Sequence, residues 1–216
     1  MHHVPMSRSF RVIWLLEELG LDYETKIHSI RDGDLRDPAF REISPAGRVP
    51  AIEMDGLVMA ESGAILQYLC ENFPEADLAP GTGDSSRPRY LELMGMGETI
   101  GALVENLNLQ HVFLRNPEDV SPVVVKIITA RLRGALTGMS KMLGKNEYML
   151  PTGFSAADIM MGSNLYSAPY YVKMDEFPAL ERYRVRLSAR EGFKRASARD
   201  GKQDFYDRDF YPIPEK

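Results

Sequence analysis

Three short stretches carry residues whose types and spacing suit chemistry on a small charged molecule. The first is "MSRSFR" (6–11), where Ser7, Arg8, Ser9 and Arg11 cluster at the start of an amphipathic run. A hydroxyl beside a helix N-terminus can donate to an anion held there, and serine there is also a favoured cap. For a thiol, whose free pKa lies near about 8.5, such a donor together with the helix dipole favours the thiolate. The second is "GRVPAI" (47–52). Pro50 has no N–H and sits poorly inside a central strand. If Val49-Pro50 is cis, the Val49 N–H and C=O face outward and can pair with an extended peptide; a trans proline at a sheet edge is the alternative. The third is "ESGAI" (61–65), where Glu61, Ser62 and Gly63 open a helix. Free N–H groups and a hydroxyl there can hold a carboxylate while Glu61 accepts an ammonium, which makes a receptor for an amino-acid head group. The plainer reading makes Ser62 an N-cap.

These stretches need elements to hold them. Apolar residues at helical spacing over 8–19 end at Gly20, "YETKIHSI" (23–30) alternates as a strand does, and a helical turn fits 38–42. "VPAIEMDGLVMA" reads as two strands around Asp55-Gly56, a strong hairpin signal. Helical spacing returns through Ile65, Leu66, Leu69 and Phe73. Residues 1–77 therefore read β-α-β-α-β-β-α, and 78–86 form a linker rich in Pro, Gly and Ser. Residues 87–216 read as all-helical, with long periodic stretches over 87–113 and 119–144 and an irregular aromatic tail lying along a surface. Ser155 and Asp158 form an S-x-x-D capping box, a folding feature. An α/β front joined to a helical back places the default ligand groove between the halves.

Composition narrows the function classes. The chain has 216 residues, 44% hydrophobic, enough for a real core. No apolar run approaches a membrane span of about 20 residues, and the N-terminus lacks the apolar segment of a secretory signal, so a cytoplasmic location is expected. A net charge of −5 disfavours a nucleic-acid surface. The single cysteine, Cys70, excludes an intramolecular disulfide and falls on an apolar helical face as a buried small hydrophobe. Four scattered histidines lack metal-ligand spacing, so no metal is expected.

The order of the motifs is more specific than any one of them. "SRSFRVIWLLEELGLDYE", "FREISPAGRVPAIEMDG", "ESGAILQYL" and "FSAADIMM" together resemble the cytosolic glutathione transferase family, above all bacterial and fungal members with a first helix of the SRSxRVxWLLEELGL type. The resemblance implies a thioredoxin-like α/β N-terminal domain, an all-α helical-bundle C-terminal domain and a homodimer. It implies glutathione as co-substrate, a hydrophobic electrophile as second substrate, and a detoxifying transferase. Carried over by motif, Val49 binds the cysteinyl backbone, Pro50 is the cis proline, and Glu61 and Ser62 hold the γ-glutamyl group. Arg48 faces the glycyl carboxylate, and Arg8 and Arg11 add to the positive field. The thiol activator is Ser7, Ser9 or a backbone amide, with Ser7 favoured. Asn106, Gln110 and His111 are candidates for the second-substrate pocket. Relatives usually carry several more residues ahead of His2-His3, so Met1 is expected to fall inside the first strand. Peroxidase or isomerase chemistry on the same fold, and a non-catalytic binding protein, are the alternatives.

Overall fold

The computed structural model describes residues 1–214. They form two compact units, one of Met1–Thr82 with Ser188–Gln203, the other of Gly83–Leu187 with the residues from Asp204 onward.

The first unit follows the element order expected from the sequence. It runs β1 (His2–His3), α1 (Phe10–Leu19), β2 (Lys26–Ile27), α2 (Pro38–Ile43), β3 (Ala51–Met54), β4 (Leu57–Ala60) and α3 (Ser62–Asn72). The four strands lie in the order β2-β1-β3-β4, with β1 parallel to β2 and the other pairs antiparallel. The β3–β4 register is set by Asp55 and Gly56, both at positive φ (51° and 83°), the backbone of a tight two-residue turn. Helix α1 is buried from Phe10 through Glu17, and it stops at Gly20, whose left-handed backbone returns its N–H to the Leu16 carbonyl. On β1, His2 is tied by Nδ1 to His28 Nε2 and by Nε2 to Glu53 Oε1, each at 2.9 Å.

The second unit carries α4 (Arg87–Asn108), α5 (Pro122–Leu143), α6 (Ala156–Gly162), α7 (Asn164–Ser167) and α8 (Pro178–Ser188). Beyond α4 the backbone widens into one π turn over Leu109–Phe113. Ser121 caps α5 by accepting the Val124 N–H, with Pro122 in the first helical position. At α6, Asp158 takes the Ser155 N–H (2.9 Å), as the capping box requires, and also the Met149 N–H (2.8 Å) and the Tyr183 hydroxyl (2.7 Å). A fully buried carboxylate with these donors organises three segments at once. The tail is more than a surface strap. Phe205, Tyr206 and Tyr211 are buried, Tyr211 donates its N–H to the Tyr170 carbonyl, and Asn108 Oδ1 accepts the hydroxyls of Tyr171 (2.6 Å) and Tyr206 (2.8 Å).

The last helix, α9 (Glu191–Asp200), differs from expectation, because it clusters with the first unit and not with the helical back. Its partner is α1. Arg190 makes a two-point pair with Glu18, both contacts at 2.8 Å, and Arg195 and Arg199 close on Glu17. Phe193 packs edge-on against Trp14 and Phe10.

Two glycines of α4 give a paired prediction. A Cβ on Gly97 would stand 2.9 Å from the Met160 carbonyl oxygen of α6, whereas one on Gly95 meets nothing within 4 Å. Gly95→Ala gains helix propensity and raises stability by up to about 1 kcal/mol. Gly97→Ala meets rigid backbone and lowers it by about 1–2 kcal/mol after the same gain. Urea melts of the two variants check the opposite signs.

Candidate functional site

The site is a depression lying wholly within the first unit. It is lined by Arg8, Ser44, Arg48, Val49, Pro50, Ala60, Glu61 and Ser62. The fold brings these together from three places. The Arg8 segment leads into α1, residues 44–50 form the turn into β3, and Ala60–Ser62 join β4 to α3.

The turn is braced by Ser44, which the sequence reading did not single out. Its hydroxyl donates to the Arg48 carbonyl (2.7 Å) and accepts the Arg48 N–H (3.2 Å), closing a short loop onto itself. Gly47, at φ 61°, completes the loop against the Leu35 carbonyl, where a Cβ would be only 2.7 Å away. The Val49-Pro50 bond is cis, the first of the two alternatives left open by the sequence. The β3 register begins at Ala51, so Val49 stands ahead of the ladder, half-buried, with Pro50 buried behind it.

The start of α3 is arranged differently from a simple cap. The N-cap position belongs to Glu61, whose backbone sits at φ 72° and ψ 111° and whose side chain caps nothing. A non-glycine residue in that region is held against its preference, a condition that clusters at ligand sites. Ser62 is buried as the first helical residue, and its Oγ accepts from Arg11 Nη1 at 2.9 Å. The exposed Glu61 carboxylate, the first-turn N–H groups of α3 and the arginines at 8 and 48 thus surround one depression. It offers two cationic groups and one anionic group.

At the start of α1 the two serines part company. Ser9 is fully buried at the N-cap position, yet its hydroxyl caps nothing. It accepts the Val4 N–H (3.2 Å), reaches the Val4 carbonyl (3.2 Å), and lies 2.8 Å from His3 Nδ1 and 2.6 Å from Ser7 Oγ. Ser7 is half-buried, accepts the Ser9 N–H, and precedes Arg8 at the rim of the depression.

The remaining candidates have local partners. Asn106 is exposed and donates to the Ala102 carbonyl of its own helix. Gln110 accepts the Ser121 N–H across the loop before α5. His111 packs against the rings of Tyr171 and Tyr211, which also contact each other. Cys70 is buried, and burial pushes its thiol up to about 12, so it is a packing residue and no nucleophile at neutral pH. No cluster of three or more His, Cys, Asp or Glu side chains suited to a metal occurs among the described residues. No described helix is long and apolar enough to cross a membrane.

Comparison with known proteins gives this arrangement its context. The family model described as glutathione S-transferase, N-terminal domain, matches residues 1–77. Glutathione S-transferase 3 of Schizosaccharomyces pombe is 30% identical over 179 residues, covering 78% of this chain and 73% of that protein. The maleylacetoacetate isomerase of Pseudomonas aeruginosa is 28% identical over 196 residues, covering 88% and 91%. Among solved structures, a glutathione transferase homolog from Lodderomyces elongisporus with two GSH per subunit superposes with a TM-score of 0.83 at 20% identity, covering 91% of this chain and 96% of that one. A glutathione transferase from Methylococcus capsulatus gives 0.80 at 24% identity, covering 92% and 97%. The two structures share the fold, a thioredoxin-like front with a helical back. The chain belongs to the glutathione S-transferase family.

Proposed function

We propose that the protein is a glutathione transferase that binds glutathione along the depression of its first unit and holds the thiol as thiolate for attack on an electrophilic carbon. One observation carries this reading: the Val49 edge, the strained Glu61, the N-terminus of α3 and Arg8 and Arg48 all border one depression. Glutathione has an extended backbone, two carboxylates and one ammonium. Its cysteinyl peptide matches the Val49 N–H and C=O, which precede the ladder and can pair as an added strand does. Its γ-glutamyl ammonium matches Glu61, and the adjoining carboxylate matches Ser62 and the positive end of α3. Arg48 suits the glycyl carboxylate, and Arg8 adds positive potential near the thiol. Ser7, half-buried and next to the lining residue Arg8, is the hydroxyl we assign as donor to the thiolate. Catalysis then rests on orientation and on a lowered thiol pKa.

The same thiolate supports a second reading. Likeness to maleylacetoacetate isomerases over most of the chain favours isomerisation, in which sulfur adds to a conjugated double bond, the bond rotates, and the sulfur leaves again. A homodimer, a hydrophobic electrophile and a cytoplasmic, detoxifying setting complete the proposal through the family resemblance.

Calorimetry and turnover separate these readings. Arg48→Ala and Glu61→Gln each weaken glutathione binding about 10- to 100-fold, the loss of a hydrogen bond between charged groups. Ser7→Ala lowers kcat for conjugation about 100-fold and leaves the affinity for S-methylglutathione unchanged. Turnover of a cis-dienoic diacid without conjugation of aryl halides assigns the isomerase. Binding without turnover of either assigns a glutathione-binding protein. Absence of glutathione binding by the unaltered protein overturns the proposal.

A further inference from the structure

We propose that the thiol proton of bound glutathione is passed through Ser7 and Ser9 to His3, so that His3 and Asp200 act as a buried proton acceptor and its counter-ion. The inference rests on the transferase reading above. Its basis is a continuous chain of contacts within the first unit: Ser7 Oγ to Ser9 Oγ at 2.6 Å, Ser9 Oγ to His3 Nδ1 at 2.8 Å, and His3 Nε2 to the Asp200 carbonyl at 2.8 Å. The Asp200 carboxylate lies 3.4 Å from the same Nε2.

The polarity of the chain follows from its end. A backbone carbonyl only accepts, so Nε2 carries the proton. In neutral His3, Nδ1 is then an acceptor. It takes the Ser9 hydroxyl proton along the 2.8 Å contact, in competition with the Val4 carbonyl at 3.2 Å, and Ser9 Oγ in turn accepts from Ser7 and from the Val4 N–H. Ser7 Oγ, which also accepts the Ser9 N–H, therefore keeps one lone pair and no proton for a ligand beside Arg8. A thiol arriving there donates to Ser7 Oγ. Transfer is concerted: the S–H proton moves to Ser7, the Ser7 proton to Ser9, and the Ser9 proton to His3 Nδ1. Three O–H or N–H bonds form while one S–H and two O–H bonds break. The products are a thiolate and an imidazolium, with no change in total charge. After transfer every hydroxyl in the chain has reversed, and Ser7 now donates to the sulfur anion it helped to form.

His3 is fully buried, and desolvation pushes its pKa down, so burial keeps it neutral at rest and opposes its protonation. The relay therefore depends on the Asp200 carboxylate, 3.4 Å from Nε2, and on the thiolate itself to stabilise the imidazolium. Burial pushes Asp200 up to about 6, against the Met6 N–H that bonds both its oxygens, so at neutral pH the carboxylate is mainly ionised. It supports the imidazolium once that forms. Other charged groups on the neighbouring elements are engaged elsewhere. Arg11 of α1 bonds Ser62, and His2 of β1 bonds His28, which follows β2, and Glu53 of β3. As pH falls through the His3 pKa, Nδ1 acquires its own proton and the relay closes, so activity declines on the acid side.

The test counts protons. In the unaltered protein near neutral pH, ultraviolet absorbance reports thiolate formed from bound glutathione, and calorimetry in buffers of different ionisation heat reports protons released. The relay predicts thiolate with far less than one proton released per thiolate, because His3 keeps it. Nitrogen NMR predicts an unprotonated His3 Nδ1 in the free protein and a protonated one with glutathione, but not with S-methylglutathione. His3→Gln raises the thiol pKa by about one unit, a tenfold loss of thiolate at neutral pH, with S-methylglutathione affinity kept. Release of about one proton per thiolate, with Nδ1 still bare, overturns the relay and leaves the transferase reading intact. Failure of the unaltered protein to bind glutathione overturns that reading instead.

Discussion

The buried hydroxyl of Ser9 is the contact on which the front of the molecule depends. It meets both backbone groups of Val4, the ring of His3 and the hydroxyl of Ser7, so it fixes how the chain leaves β1 and enters α1. A serine with no exposed surface is costly unless its hydroxyl is fully engaged, and here it is. Because β1 spans only His2–His3, the sheet alone does little to hold this corner. The corner is instead held from outside by α9, whose last residue, Asp200, bonds His3 and the Met6 N–H. Structural support and proposed chemistry thus share one set of atoms.

The depression beside that corner presents charged side chains from braced backbone supports. Ser44 stiffens the turn that presents Arg48 and Val49, and Arg11 anchors Ser62 from below. Glu61 keeps a backbone conformation that the ends of β4 and α3 impose on it. The proposed ligand, with separated carboxylates and an ammonium, would then meet a backbone already set in place, which lowers the ordering cost of binding.

Much of this was legible in the sequence for local reasons. The helix of residues 10–19 announces itself by spacing and by Gly20, and the hairpin by Asp55-Gly56; both are properties of short windows. The lining residues Arg8, Arg48, Val49, Pro50, Glu61 and Ser62 sit in motifs with recognisable turn and helix-start chemistry. Long-range features were not legible. Nothing near Glu17 and Glu18 says that Arg190, Arg195 and Arg199 will meet them, so α9 reads as part of the helical back. His3 looks like any strand residue until Ser9 and Asp200 are brought beside it. Ser62 reads as a cap because serine at a helix start usually is one, whereas its hydroxyl is taken by Arg11, 51 positions earlier.

Binding of glutathione as the thiolate in this depression is tested most directly by a pH titration of the thiolate absorbance of the bound tripeptide. Half-ionisation is expected at least one unit below the free thiol value of about 8.5. Half-ionisation at the value of free glutathione would contradict it.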